Sequence, residues 1–215
     1  MTGFITRIHL LRHGEVRNPD GVLYGRLPSY HLSERGAAMA DRLAERVANR
    51  DIVRIVSSPL ERALETAAPI AARLGLEVAA DERMTEATNA FEGLALSGGK
   101  SLLRISHWKH LRNPFEPSWG EPYVDIVTRM RGAMADARNA AEGHEAVLVS
   151  HQLPIWAARR AVEGRRLWHD PRKRQCSLAS LTTFTYDGEE IVSVAYSEPA
   201  ADLLPTPSRH FAAGA

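Results

Sequence analysis

The sequence predicts an α/β fold, a three-layer α/β/α sandwich around a mostly parallel sheet. Short apolar runs of strand length (5–11, 52–56 and 146–150) alternate with longer segments of helical period along most of the chain. Each run stops abruptly at polar residues, Arg12-His13-Gly14, Ser57-Ser58 and His151. In such sheets ligands bind beyond the carboxyl ends of the strands, so these stops also predict a site. The 215 residues, 44% of them hydrophobic, suffice for a full core without metals or disulfides.

The elements follow in order. Ile5 to Leu11 is a first strand, and Asn18-Pro19-Asp20-Gly21 marks a loop. Ser33 is placed to cap an alanine-rich amphipathic helix over 37–49. Ile52 to Val56 reads as a buried strand. Ser58-Pro59 predicts the start of the next helix, serine as cap and proline at its first position. That helix runs to about Leu74 and stops at Gly75. A weak strand covers 77–79. From 87 to 122 regularity fails: Gly98-Gly99, Pro114, Pro117, Gly120 and Pro122 alternate with Trp108, Phe115 and Trp119. An irregular stretch this long predicts a functional lid. A helix over 124–142, a strong strand over 146–150 and a helix over 154–163 come next. Leu178 to Tyr186 and Ile191 to Tyr196 form a terminal hairpin with Asp187-Gly188 at its turn. The reading is one domain over 1–199, with a cap insertion at about 87–122 and a loosely held C-terminal tail over 200–215.

Composition narrows the function. Lys+Arg 27 against Asp+Glu 26 leaves a net charge of +1, too balanced for a general nucleic-acid binder. The single cysteine, Cys176, excludes an internal disulfide and Cys-rich zinc modules; it reads as buried and inert. His107, His110, His144, His169 and His210 show no metal-ligand spacing. The run Arg172-Lys173-Arg174 beside His169 could form a basic rim, but such charge runs are usually solvated faces. No stretch approaches the roughly 20 apolar residues of a membrane span, and no targeting signal opens the chain. The expectation is a cytoplasmic protein with no membrane partner.

The strand ends bring together Arg12, His13, Ser57, Ser58, Arg62, Glu86 and His151. Guanidinium forks bind phosphoryl oxygens, a neutral imidazole can attack phosphorus, and a carboxylic acid can protonate the leaving oxygen. Phosphoryl chemistry on a small phosphorylated substrate is the reading.

Leu11-Arg12-His13-Gly14-Glu15 resembles the signature of the histidine phosphatase superfamily, with its phosphoglycerate mutase-like fold. So do Gly25-Arg26-Leu27-Pro28, Leu32-Ser33-Glu34-Arg35-Gly36, the run from Ser57 to Ala67 around Arg62, Glu86 ahead of Phe91-Glu92-Gly93, and Val147 to His151. The resemblance covers roughly residues 5–197 in order. It implies that His13 is the nucleophile that becomes a phosphohistidine. Arg12, Arg62 and His151 would bind the phosphoryl group, with Asn18 a further candidate. Glu86 would be the acid and then the base; Glu82 competes. No metal or other cofactor is implied. Arg26, Trp108 and Arg112 are candidate substrate contacts, the last two in a lid over about 97–123 that also holds Lys109. Three departures stand out: Val16 where many relatives have threonine, a looser acid segment, and Gln152 in place of the glycine after the second histidine. The implied activity is metal-independent phosphomonoester hydrolysis. A phosphoglycerate-type mutase and a non-catalytic phospho-ligand binder are the alternatives.

Overall fold

The computed structural model describes residues 3–94 and 120–205. Six strands form one sheet: β1 (Ile5–Arg12), β2 (Ile52–Ser57), β3 (Val78–Ala80), β4 (Glu145–Ser150), β5 (Leu181–Asp187) and β6 (Glu190–Ser197). Their spatial order is β3-β2-β4-β1-β5-β6. The first four are parallel, β5 lies antiparallel to β1, and β6 antiparallel to β5. Only β5 opposes the others, as a mostly parallel sheet requires.

Both faces of this sheet are covered, which is why its central strands are mostly apolar, with β4 unbroken from Ala146 to Val149. Every residue of β4 is buried. Alternate side chains serve opposite layers: Ala146 and Leu148 face a core built with α3 (Tyr123–Ala140) and α4 (Gln152–Val162). Val147 and Val149 face a second core built with α1 (Glu34–Val47) and α2 (Glu61–Leu74). Truncating a fully buried member such as Leu10 or Leu43 to alanine costs about 2–5 kcal/mol.

The connections after β1 and β2 lead to helices on one face, and those after β3 and β4 lead to helices on the other. Neighbouring strands β1 and β4 therefore diverge at their carboxyl ends, the topological switch point where open α/β sheets hold ligands.

Three local expectations need correcting. Ser58-Pro59 does not open α2: the helix starts at Glu61 with Leu60 in the cap position, because Ser58 is committed to the site described below. The hairpin begins at Leu181, since Leu178 and Ala179 form a turn in which Ala179 takes a left-handed φ of 54°. Its two-residue loop is Gly188-Glu189, with Gly188 at φ 59°. The first residues of the tail, 200–204, are held rather than loose. Ala200 is buried, Leu203 and Leu204 pack on the α1–α2 core, and Asp202 pairs with Arg42 at 3.1 Å. Ser33 does cap α1, its Oγ accepting from Gly36 N at 3.0 Å. The ends of the irregular segment meet, Asn89 bridging to Gly120; most of that segment, including Trp108, Lys109 and Arg112, lies outside the described residues, as do residues 206–215.

Candidate active site

The sheet register sets the site. Arg12 and Ser150 are paired partners on β1 and β4, so the next residue of each strand, His13 and His151, emerges at the same level. Adjacent strands lie about 4.8 Å apart, and the two imidazole centroids are 5.1 Å apart. His13 N donates to Ser150 O at 3.1 Å, and Ser58 N to Val149 O at 2.9 Å. Three strand ends are thereby stitched into one floor.

Gly14 must lack a side chain because α1 begins against it. A Cβ there would stand 2.6 Å from the Gly36 carbonyl oxygen, and a Cβ on Gly36 would strike the Glu15 carbonyl. The two glycines let backbone meet backbone. Glu15 fastens the same joint, accepting from Ser33 Oγ at 2.8 Å and Arg35 Nη1 at 3.0 Å.

His13 is 2% exposed, and its Nδ1 donates to its neighbour's carbonyl, Gly14 O, at 2.8 Å. That bond fixes the tautomer and leaves the Nε2 lone pair free. Burial, then the charges of Arg62 and Arg12, hold the His13 pKa well below the ordinary value, against the pull of the Gly14 carbonyl. His151 is likewise held neutral by burial, then by His13 and the arginines. Its Nε2 lies 2.8 Å from Ser58 Oγ, which also accepts from Leu60 N at 3.4 Å. With the Ser58 hydroxyl donating to Nε2, the imidazole proton sits on Nδ1.

The arginines are anchored by one hand and open on the other. Arg12 Nη1 donates to Cys176 O at 2.6 Å, and Arg62 Nη2 to Gly25 O at 2.6 Å. Arg62 also lies over the Tyr24 ring at 4.8 Å. Yet Arg12 Nε, Arg62 Nε, Arg62 Nη1 and His151 Nδ1 are buried with no partner. A buried unpaired donor costs about 1–3 kcal/mol, and four such nitrogens on the two arginines and the imidazole that bear on His13 fit a site for an oxyanion. Arg62 lies in the first turn of α2, and His151 occupies the cap position of α4. Both helix dipoles therefore add positive potential there.

Glu86 belongs to this group and Glu82 does not. Glu82 is exposed on a single 3₁₀ turn. Burial raises the Glu86 pKa, while the Ala87 N–H and the charges of Arg174, Arg62 and Arg12 pull it down. Its loop is clamped: Arg26 Nε donates to Glu86 O at 2.5 Å, and Arg129 Nη1 to Arg83 O and Thr85 O. Both arginines are tied back to Glu121. Arg26 is thus a strut of the acid loop rather than a free cation at the pocket edge. Asn18 is similarly spent, its amide donating to Val22 O at 2.8 Å and accepting from Val22 N at 3.0 Å. Among the described residues no cluster of three or more His, Cys, Asp or Glu could hold a metal.

The sequence profile of the histidine phosphatase superfamily (branch 1) matches residues 8–199. The chain belongs to that superfamily. An uncharacterised Mycobacterium tuberculosis protein, Rv0525, is 56% identical over 197 residues, spanning 91% of this chain and 98% of the relative. Phosphoserine phosphatase 1 of Hydrogenobacter thermophilus is 30% identical over 157 residues, 71% of this chain and 74% of that protein. The solved structure of mycobacterial glucosyl-3-phosphoglycerate phosphatase superposes with a TM-score of 0.72 at 27% identity, covering 89% of this chain and 97% of that one. The superfamily holds both phosphatases and mutases.

Sequence reasoning missed Tyr24, Arg129 and Arg174. Tyr24 had no flag beyond its place ahead of Gly25-Arg26. Arg129 sits in an ordinary helix, and Arg174 was hidden in a charge run. Among the described residues, no helix is long and apolar enough to cross a membrane.

Proposed function

We propose that this protein hydrolyses phosphomonoesters of a small metabolite through a phosphohistidine on His13. The observation that carries the reading is four buried nitrogens of Arg12, Arg62 and His151 with no hydrogen-bond partner among the described residues, on the groups that bear on an imidazole whose other nitrogen is already committed. His13 Nε2 attacks phosphorus and the ester P–O bond breaks. Arg12, Arg62 and His151 Nδ1 neutralise charge on the phosphoryl oxygens. Glu86, whose burial favours the protonated form, gives its proton to the leaving oxygen. The resulting carboxylate takes a proton from water as that water attacks phosphorus. The P–N bond breaks, and His13 is restored.

The phosphatase names carried by two of the relatives support hydrolysis. The test is incubation, in EDTA, with p-nitrophenyl phosphate and a panel of phosphosugars and phosphorylated hydroxy acids. Release of inorganic phosphate is expected. Isomerised product without release would make it a mutase, and neither would leave a phospho-ligand binder. Rapid quenching with labelled substrate should trap an acid-labile, base-stable label in the wild type and none in His13→Ala.

A further inference from the structure

We propose that Arg174, held by Gln152 and His169, is a second anion-binding position beside the phosphoryl site. It receives a carboxylate or second phosphoryl group of the substrate, a claim that rests on the phosphomonoesterase reading and names a feature its substrate must have.

Arg174 is rigidly held by neutral groups alone. Its Nε donates to His169 Nε2 at 2.8 Å and its Nη1 to Gln152 Oε1 at 3.2 Å. His169 Nδ1 donates to Leu167 O at 2.6 Å, which leaves Nε2 as the acceptor. Burial, with Arg174 and Arg160 nearby, lowers the His169 pKa and keeps it in that neutral form. The ring is packed between Tyr123 and Trp156, at centroid distances of 5.7 and 6.0 Å.

The charge of Arg174 has no ion-pair partner among the described residues. Other arginines at this end of the molecule do: Arg26 and Arg129 pair with Glu121, Arg159 with Glu163, and Arg172 with Asp170. Arg174 is largely desolvated, and the opposing charge acting on it most strongly is Glu86. Glu86 must hold a proton to act as an acid, so it is no standing counter-ion. Of the five guanidinium N–H donors, two are used, and Nη2 makes no hydrogen bond to the described residues. An immobilised planar fork with open donors fits a carboxylate or phosphoryl edge.

The position is wired to the phosphoryl site. Gln152 Nε2 donates to Cys176 O at 3.4 Å, the oxygen that Arg12 Nη1 takes at 2.6 Å. The glutamine that stands where relatives have glycine therefore carries Arg174 on one side and shares an anchor with Arg12 on the other.

The experiment is calorimetric titration of His13→Ala and of His13→Ala/Arg174→Gln, which bind without turnover. The probes are glycerol 3-phosphate, 3-phosphoglycerate and propane-1,3-diol bisphosphate, which share the phosphoryl end and differ in the distal group. His13→Ala is expected to bind one of the two doubly anionic probes about ten- to a hundredfold more tightly than glycerol 3-phosphate. Which probe is preferred says whether the distal group is carboxylate or phosphoryl. Arg174→Gln should bring that ratio to within about threefold, and Arg174→Lys, which keeps the charge without the fork, should leave an intermediate ratio. Equal binding of all three probes, or a preference that survives Arg174→Gln, overturns the proposal. Failure of the hydrolytic reading is seen separately, as absence of phosphate release by the wild-type protein.

Discussion

Glu86→Gln separates the chemistry of the acid from its place in the structure. Glu86 Oε1 accepts from Ala87 N at 2.8 Å, and Arg26 holds its backbone carbonyl. An amide keeps the acceptor, the volume and the loop, and loses only the transferable proton. General acid catalysis contributes about 10²–10⁴-fold, or about 2.7–5.5 kcal/mol at ~1.36 kcal/mol per decade. That whole amount should be lost for an alkyl phosphate such as glycerol 3-phosphate, whose alkoxide is a strong base. p-Nitrophenolate departs with little help, so p-nitrophenyl phosphate should lose far less. The loss should fall on kcat rather than KM, because the proton moves only in the transition state. The pH profile gives a second reading. Burial raises the Glu86 pKa, and the acid form is the active one, so alkyl phosphate turnover is full below that pKa and falls as pH rises through it. This alkaline limb should vanish in Glu86→Gln. Steady-state kinetics on both substrates, from acid to neutral pH, decide the matter. An equal loss on the two substrates would refute the assignment and make Glu82 the next variant.

Three further outcomes are expected. At the opposite end of the sheet Glu145 takes hydrogen bonds from His9 at 2.9 Å and Arg50 at 2.5 Å. Burial pushes its pKa up, but these partners outweigh it and hold the carboxyl at about 2, from 4.5. That depression stabilises the fold above the unfolded value and is lost as pH falls towards about 2. Its ceiling is about 3 kcal/mol, trimmed because Arg50 and Arg7 are half-exposed; urea melts of Glu145→Gln should converge on the wild type in acid, and a constant gap would disprove the linkage. Gly14→Ala should cost about 1–3 kcal/mol from the forced contact with the Gly36 carbonyl, lowering Tm by several degrees in calorimetry; an unchanged Tm would mean the joint yields freely. Inorganic phosphate at about 100 times its Kd should stabilise the protein by about 2.7 kcal/mol, and in Arg62→Ala the Tm shift should largely disappear; an identical shift in both would place the anion elsewhere.

Much of this was legible because the physical signals were local. A sheet covered on both faces favours mostly apolar strands, so β1, β2 and β4 could be read from short apolar-rich runs, and the polar residues that end them announced the site. Ser33 was legible as a cap because the Gly36 N–H it accepts lies only three residues along the chain. Ser58 misled for the opposite reason. A serine followed by proline signals a helix start, but its hydroxyl is worth more orienting a buried imidazole from another strand, a demand made 93 residues away. Arg26 and Asn18 carry the right chemistry for phosphate and are consumed by neighbours that only the folded chain supplies. Arg174 shows the limit most clearly. Four charged residues lie close together from 170 to 174, and sequence alone treats them as one solvated face. The fold pairs Arg172 with Asp170 in solvent and turns Arg174 inward.

The site's construction and its cost have the same origin. Placing two imidazoles one residue past two paired parallel strands requires the strands to end flush, with no room for a side chain between β1 and the start of α1. The pair Gly14 and Gly36 meets that requirement, so the tight joint is a condition for His13 to stand beside His151. Once that geometry is fixed, the arginines from β1 and α2 are buried, and among the described residues each has a single carbonyl oxygen as its hydrogen-bond partner. A carboxylate at that point would satisfy them and fill the site. The chain instead keeps its nearest acid, Glu86, on a separate loop clamped by Arg26 and Arg129, near enough to feel the arginines yet outside ion-pair distance of them. Unsatisfied donors in the empty protein are therefore the structural form of affinity for the oxyanion that completes them.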